Sequence, residues 1–202
     1  MTQRQPAPLF TIGHSTRSIA EFVDILRPAG VRRVVDVRTV PRSRTNPQYN
    51  EDVLAAELTP FQIDYGRIAE LGGLRARSHD VPPEVNGFWK NQSFHNYADY
   101  ALSDAFAGGL DALLSDVAEV PTAIMCAEAV WWRCHRRIIA DYAILRHFRV
   151  FHLMGGGRVE PARMTPAARE RDGHLVYPAE ASASRVRPNA GQAAEVEAAA
   201  EA

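Results

Sequence analysis

The chain reads as an α/β domain: a mainly parallel sheet of about five strands with helices on both faces, followed by a disordered C-terminal tail. Three observations predict this class. Short apolar runs alternate with segments whose apolar residues recur at helical spacing. The first two runs are joined by a capped amphipathic segment, a βαβ unit that requires a parallel pair and a right-handed crossover. Beyond Gly157 large apolar residues become sparse while Pro, Arg, Ala and Glu dominate. Such a composition buries too little surface to order itself. The expected organisation is one domain over 9–157 and a flexible tail over 158–202.

Leu9–Gly13 is the first strand, ending in Gly13-His14-Ser15. Ser18 and Glu21 form a capping-box pattern ahead of Ile19, Phe22, Val23 and Leu26, a helix with one buried face. Pro28 and Gly30 end it near Arg27. Val34–Val37 is a β-branched second strand. After the Arg- and Pro-rich loop 38–49, Asn50 is placed to cap a helix whose first turn carries Glu51 and Asp52. Phe61–Tyr65 alternates like a strand, and Leu71–Gln92 forms a long insert that Phe88-Trp89 should keep ordered. From Phe94 the pattern is helical, with Ser103 a cap before Phe106, Leu110, Leu113, Leu114 and Val117. Thr122–Cys126 is a central strand. Ile138, Ile139, Tyr142 and Leu145 define a helix beginning by about Cys134, and Val150–Met154 is the last strand.

At 202 residues, 46% hydrophobic and a formal net charge of −1, the chain is a soluble globular protein rather than a bulk polyanion binder. Two cysteines cannot build a disulfide scaffold, and the N-terminus carries no targeting pattern. No apolar run is long enough to span a bilayer. A cytoplasmic location is expected.

The chemistry concentrates where Thr122–Cys126 runs into the following helix, because ligands bind at the carboxyl ends of strands in open α/β sheets. Cys126, Glu128, Arg133, Cys134, His135 and Arg136 crowd this junction. A cysteine facing a helix start and several arginines has the setting that lowers a thiol pKa and makes a nucleophile. Alone, Cys126 would more simply be a small buried hydrophobe. Two alternatives stay open. Cys126, Cys134 and His135 supply three zinc ligands, although the spacing does not match the short knuckle pattern. The two thiols could also form a reversible disulfide.

A second constellation is the loop holding Arg38, Arg42 and Arg44, three guanidinium groups able to fork onto phosphate or carboxylate. Asp36 would be partly buried beneath it and could simply hold an arginine. His14 and Ser15 end the first strand at the same sheet edge. Trp89, Trp131 and Trp132 could stack a base, but core packing is the commoner fate of tryptophan.

Thr11–Ser15, Val35–Arg44, Glu70–Gly73, Tyr97–Tyr100 and Met125–Arg136, taken together and in this order, resemble the domain-of-unknown-function family 488. The resemblance runs from about Leu9 to Leu153. It implies an intracellular prokaryotic domain with a paired-cysteine Cys-His-Arg motif, some members of which carry a DNA-repair label. The chain departs from the family pattern near Phe88 and at Phe94-His95-Asn96. The layout is also similar to rhodaneses and cysteine phosphatases, where a cysteine opens an anion-cradling loop. Six residues separate Cys126 from Arg133, one more than those enzymes place between their Cys and Arg, so the likeness is one of layout.

These readings converge on a cysteine-dependent enzyme, a transferase or hydrolase, acting on an anionic, phosphate-bearing substrate such as a nucleotide or nucleic acid. Cys126 or Cys134 would be the nucleophile, His135 the acid/base and Glu128 an orienting group. His14, Ser15, Arg38, Arg42, Arg44, Arg133 and Arg136 would bind substrate. No cofactor or metal is required, zinc being the alternative, with a zinc-dependent or non-catalytic nucleic-acid-binding module as the competing function. No membrane partner is expected.

Overall fold

The computed structural model describes residues 7–179. Its central sheet has six strands: β1 (Leu9–Gly13), β2 (Arg33–Asp36), β3 (Asp64–Arg67), β4 (Thr122–Cys126), β5 (Val150–Gly155) and β6 (Arg158–Pro161). The spatial order is β3-β2-β4-β1-β5-β6, with the first five parallel and β6 antiparallel to β5. The register sets Gly13 beside Cys126 and Asp36 beside Met125. The carboxyl ends of β1, β2 and β4 therefore share one edge.

Side chains alternate across β4. Ala123 and Met125 face one layer, with Phe22, Val23, Leu26, Leu54 and Leu58; Ile124 and Cys126 face the other, with Phe106, Leu110, Leu113, Ile138 and Ile139. The first layer is supplied by α1 (Ile19–Leu26) and α2 (Glu51–Leu58). The second comes from α3 (Gln92–Tyr100), α4 (Asp104–Glu119) and α5 (Arg136–Leu145). This alternation is why Cys126 meets the start of α5.

The capping box at Ser18 forms in full, and Gly30 takes the left-handed conformation that closes the turn after α1. Ser103 caps α4, separating it from α3, which Asn91 caps. Asn50 sits at the N-cap position of α2, but its side chain accepts instead from the Ser43 backbone N–H at 2.7 Å. The third strand begins three residues later than its alternation predicted. Pro60 lies in a short 3-10 turn over Thr59–Phe61 and Gln62 is left-handed, so extended backbone starts only at Asp64.

The insert after Leu71 has no helix or strand, and it is packed. The Trp89 ring stacks on Phe94 at 4.9 Å between centroids, and Asn86 bridges Asp99 and the Tyr177 backbone. The fold also continues past the expected domain end at 157. Residues 158–161 add β6, and β7 (Arg169–Arg171) pairs with β8 (His174–Val176). Leu175, Val176 and Tyr177 are buried, with the Tyr177 hydroxyl on Asp141. One apolar triplet docks a segment whose average composition reads as a tail. The remainder of that expected tail, 180–202, lies outside the described residues. Among the described residues no helix is long and apolar enough to cross a membrane.

Candidate functional site

Cys126 ends β4. From there the chain passes through Ala127–Val130 and a 3-10 turn at Trp131–Arg133, reaching Cys134 two residues before α5. Both cysteines are buried and unpaired. His135 Nδ1 lies 3.6 Å from the Cys134 sulfur and 4.0 Å from the Cys126 sulfur. The opposite nitrogen, Nε2, is 2.9 Å from the Val37 carbonyl oxygen. A carbonyl only accepts, so Nε2 carries a proton, and Nδ1 is the ring nitrogen turned toward the two sulfurs. Gly73 lets the ring sit there: a Cβ at that position would stand 2.3 Å from Nδ1.

Arg136 is 1% exposed. Its Nε donates to the Cys134 sulfur at 3.2 Å, and Nη2 donates to the Glu128 carbonyl. Burial alone would raise the Cys134 thiol. The hydrogen bond from Cys126, the Arg136 charge and His135 outweigh it and hold the thiol well below its ordinary range. Cys126 is pushed the other way, first by its hydrogen bond to Cys134 and then by burial. Cys134, the sulfur that the guanidinium touches, is therefore the more acidic thiol of the pair.

The expected edge of His14, Ser15, Arg38 and Cys126 is present, but two of its members are turned to other work. Arg38 is 6% exposed. Its Nε contacts both oxygens of Asp36 at 2.9 and 3.0 Å, Nη2 reaches Asp36 and the Tyr49 carbonyl, and Nη1 lies 3.2 Å from His14 Nε2. Tyr65 adds a hydroxyl to Asp36 at 3.0 Å. A guanidinium this fully engaged is a structural strut rather than a substrate fork. His14 donates from Nδ1 to the Ser15 carbonyl, accepts at Nε2 from Arg38 and stacks on Tyr49 at 4.1 Å. Burial leads in lowering its pKa to about 4, with Arg38 and Arg136 adding to the effect. His14 is thus a neutral hydrogen-bonded ring with no lone pair left for a base.

Ser15, at φ 51°, makes the sharp turn after β1 and donates its N–H to the Ala127 carbonyl. Arg42 and Arg44 are exposed, with Arg42 3.9 Å from the equally exposed Asp52. Arg42 borders an open cleft of about 480 Å³, whose wall also includes His14, Ser15, Arg38, Ser43, Asn46 and Glu128, while Arg44 lies on the same loop outside that wall. A smaller cavity of about 140 Å³, lined by Gly73, Ser93, Phe94, Glu128, Arg133, Cys134 and His135, opens onto the sulfur centre. Glu128 borders both spaces. Its side chain is exposed, and its contribution to the centre is made by the backbone carbonyl on Arg136. Arg136, expected to bind substrate, binds Cys134 instead. Arg133 is exposed at the rim of the small cavity.

Of the tryptophans, Trp89 is core and Trp131 stacks on His152 at 4.3 Å while donating to Glu160. Trp132 is 43% exposed. The supports missing from the sequence reading are Val37, Tyr49, Tyr65 and Gly73. Only Gly73 left a signal, in the Gly72-Gly73 pair, since glycine marks close backbone approach. The three donors of Cys126, Cys134 and His135 all lie within 4.8 Å of one another, a set that could hold a soft metal ion.

Neither a curated protein nor a solved structure matches the chain. The sequence of Cys126 through Arg136, now seen as one buried sulfur centre, falls inside residues 18–143, which match the family model described as "Domain of unknown function DUF488". That stretch is more than half of the chain, and the protein belongs to this family.

Proposed function

We propose that the protein is a cysteine-dependent enzyme, a transferase or hydrolase whose nucleophile is the Cys134 thiolate. One observation carries the reading: a buried guanidinium, Arg136, donates to the Cys134 sulfur, and no carboxylate among the described residues pairs with it. A buried charge needs a counter-charge, and the thiolate supplies it. His135 Nδ1 accepts a thiol proton, with its ring oriented by the Val37 carbonyl. The anionic, phosphate-bearing part of the substrate rests in the open cleft that Arg42 lines, with Arg44 on the same loop, and its reacting group enters the small cavity. At about 140 Å³ that cavity is below the several hundred Å³ usual for a whole ligand, so only the reacting end fits.

Alkylation by iodoacetamide as a function of pH tests this. Cys134 is expected to react near neutral pH with the apparent pKa of an activated thiol, and Cys134→Ser to remove the reaction. Reaction only above pH 8, at the rate of an ordinary thiol, would sink it.

The sulfur and nitrogen distances favour a second reading, zinc. A tetrahedral ion about 2.3 Å from sulfur and about 2.0 Å from nitrogen needs S···N edges of about 3.5 Å, and the observed ones are 3.6 and 4.0 Å. The hydrogen bond from Nε2 to Val37 is the orienting contact that metal-bound histidines make. Charge weighs against it: a divalent ion would cancel both thiolates and leave Arg136 buried without a counter-charge. Metal analysis of the purified protein separates the two readings, since stoichiometric zinc together with chelator-dependent alkylation is expected only for the second.

A further inference from the structure

The sulfur centre holds two cysteines in unlike surroundings. Cys134 is held by Arg136, while Cys126 sits within 4.8 Å of it on the same histidine nitrogen. A single nucleophile needs no second sulfur beside it. The cavity that reaches Cys134 is about 140 Å³, room for a few water-sized molecules at about 30 Å³ each. Arg133 and Ser93 add polar groups to its wall. Such a space suits a small polar electrophile.

From this arrangement we propose that Cys134 and Cys126 form a two-electron redox couple that reduces small hydroperoxides, with Cys126 as the resolving thiol. The inference rests on reading Cys134 as the thiolate. The Cys134 sulfur attacks the terminal oxygen of R–O–O–H, forming an S–O bond and breaking the O–O bond. The departing alkoxide takes the proton of the Cys126 thiol and leaves as the alcohol. The Cys126 thiolate then attacks the Cys134 sulfur, forming the S–S bond and expelling hydroxide. The two sulfurs together lose two electrons and the peroxide gains them. Two equivalents of a low-molecular-weight thiol restore the dithiol and become its disulfide. Closure to a bond of about 2 Å requires the two side chains to rotate together, and Cys134, in extended backbone just ahead of α5, is not locked into a helix.

The test treats the full chain with hydrogen peroxide and follows intact mass, with iodoacetamide labelling run in parallel. The wild-type protein is expected to lose two hydrogens, to recover them with dithiothreitol, and to consume peroxide at least about tenfold faster than a free thiol of ordinary pKa. Cys126→Ser is expected to stop at a dimedone-reactive sulfenic acid on Cys134, and Cys134→Ser to show neither product. Rapid alkylation of Cys134 with no disulfide after peroxide overturns the redox couple and leaves the thiolate reading standing. Slow alkylation with slow oxidation overturns both. Near-ultraviolet circular dichroism of each near-isosteric serine variant confirms that it is folded.

Discussion

Arg136 lies with its Nε 3.2 Å from the Cys134 sulfur, and among the described residues no carboxylate pairs with the guanidinium. The Arg136 charge is among the causes that hold the Cys134 thiol below its ordinary range. Replacing Arg136 by Met keeps much of the volume and removes the charge. The variant is expected to alkylate at Cys134 at least about tenfold more slowly at neutral pH, because the thiol returns toward or above its ordinary pKa. Its melting temperature should move little, since sulfur and side chain become neutral together. Retention of fast alkylation in Arg136→Met would place the source of activation elsewhere.

Asp36 and Arg38 behave oppositely. Their contact is bidentate and enclosed, so Asp36→Asn leaves a buried cation unpaired and should cost about 3–5 kcal/mol in urea unfolding. Arg38→Met on top of Asp36→Asn should restore a large share of that loss. A double-mutant cycle with negligible coupling would contradict the strut role assigned to Arg38.

Gly73 offers a geometric test of the histidine. An added Cβ cannot coexist with His135 Nδ1 at 2.3 Å, so Gly73→Ala must displace the ring. An overpacking cost of about 1–3 kcal/mol is expected, together with loss of the sulfur centre's normal alkylation profile. Unchanged alkylation with unchanged stability would mean that the ring position is unimportant.

What could be read in the sequence was what local chemistry decides. The capping box at Ser18, the strand ending at Cys126 and the shared edge with His14 and Arg38 follow from pattern and from the rules of parallel sheets. Which sulfur carries the charge did not follow, because it depends on where Arg136 folds back, a tertiary fact. Arg38 looked like an outward fork for the same reason: its partner Asp36 is two residues away, yet only the surrounding Tyr49 and Tyr65 close the pocket around the pair. Residues 158–179 were lost to averaging, since Leu175–Tyr177 carries their docking and the neighbours dilute it.

Three buried groups make stability depend on pH in opposing ways. His14 and His152 are each lowered from 6.5 to about 4, first by burial, so their neutral forms favour the fold above pH 6.5 and the benefit is lost as pH falls through about 4. Asp141 is raised from 3.8 to about 6, again first by burial, so its contribution is present below pH 3.8 and lost as pH rises through about 6. The histidines outnumber the aspartate, and net stability should rise from pH 4 to pH 6.5. Asp141→Asn retains an acceptor for the Thr165 N–H and a donor toward the Tyr177 hydroxyl. It should steepen that rise between about pH 4 and pH 6 and leave the slope above pH 6 little changed. A melting-temperature series against pH for both proteins reads this directly.

The anion reading of the open cleft is the most exposed to refutation. Arg42 and Arg44 project from a loop pinned at Pro41, where the carbonyl accepts from the Glu51 N–H, and at Ser43, whose N–H is held by Asn50. A loop fixed in advance loses little entropy on closing over a ligand. Arg42 is 76% exposed and its only ion-pair neighbour among the described residues, Asp52, lies 3.9 Å away and is itself 64% exposed, so that pair contributes little to stability. Phosphate, sulfate or a nucleotide should therefore raise the melting temperature by mass action on the native state, and the rise should shrink with added sodium chloride. Arg42→Ala with Arg44→Ala should abolish the rise while leaving the unliganded melting temperature within a degree or so, as expected for exposed charges. Arg38→Met makes the contrast: it should lower the unliganded melting temperature sharply because Asp36 is left buried without its partner. A double alanine variant that melts far lower and never responded to anions would show the two arginines to be structural, and the phosphate-bearing substrate would fall with them.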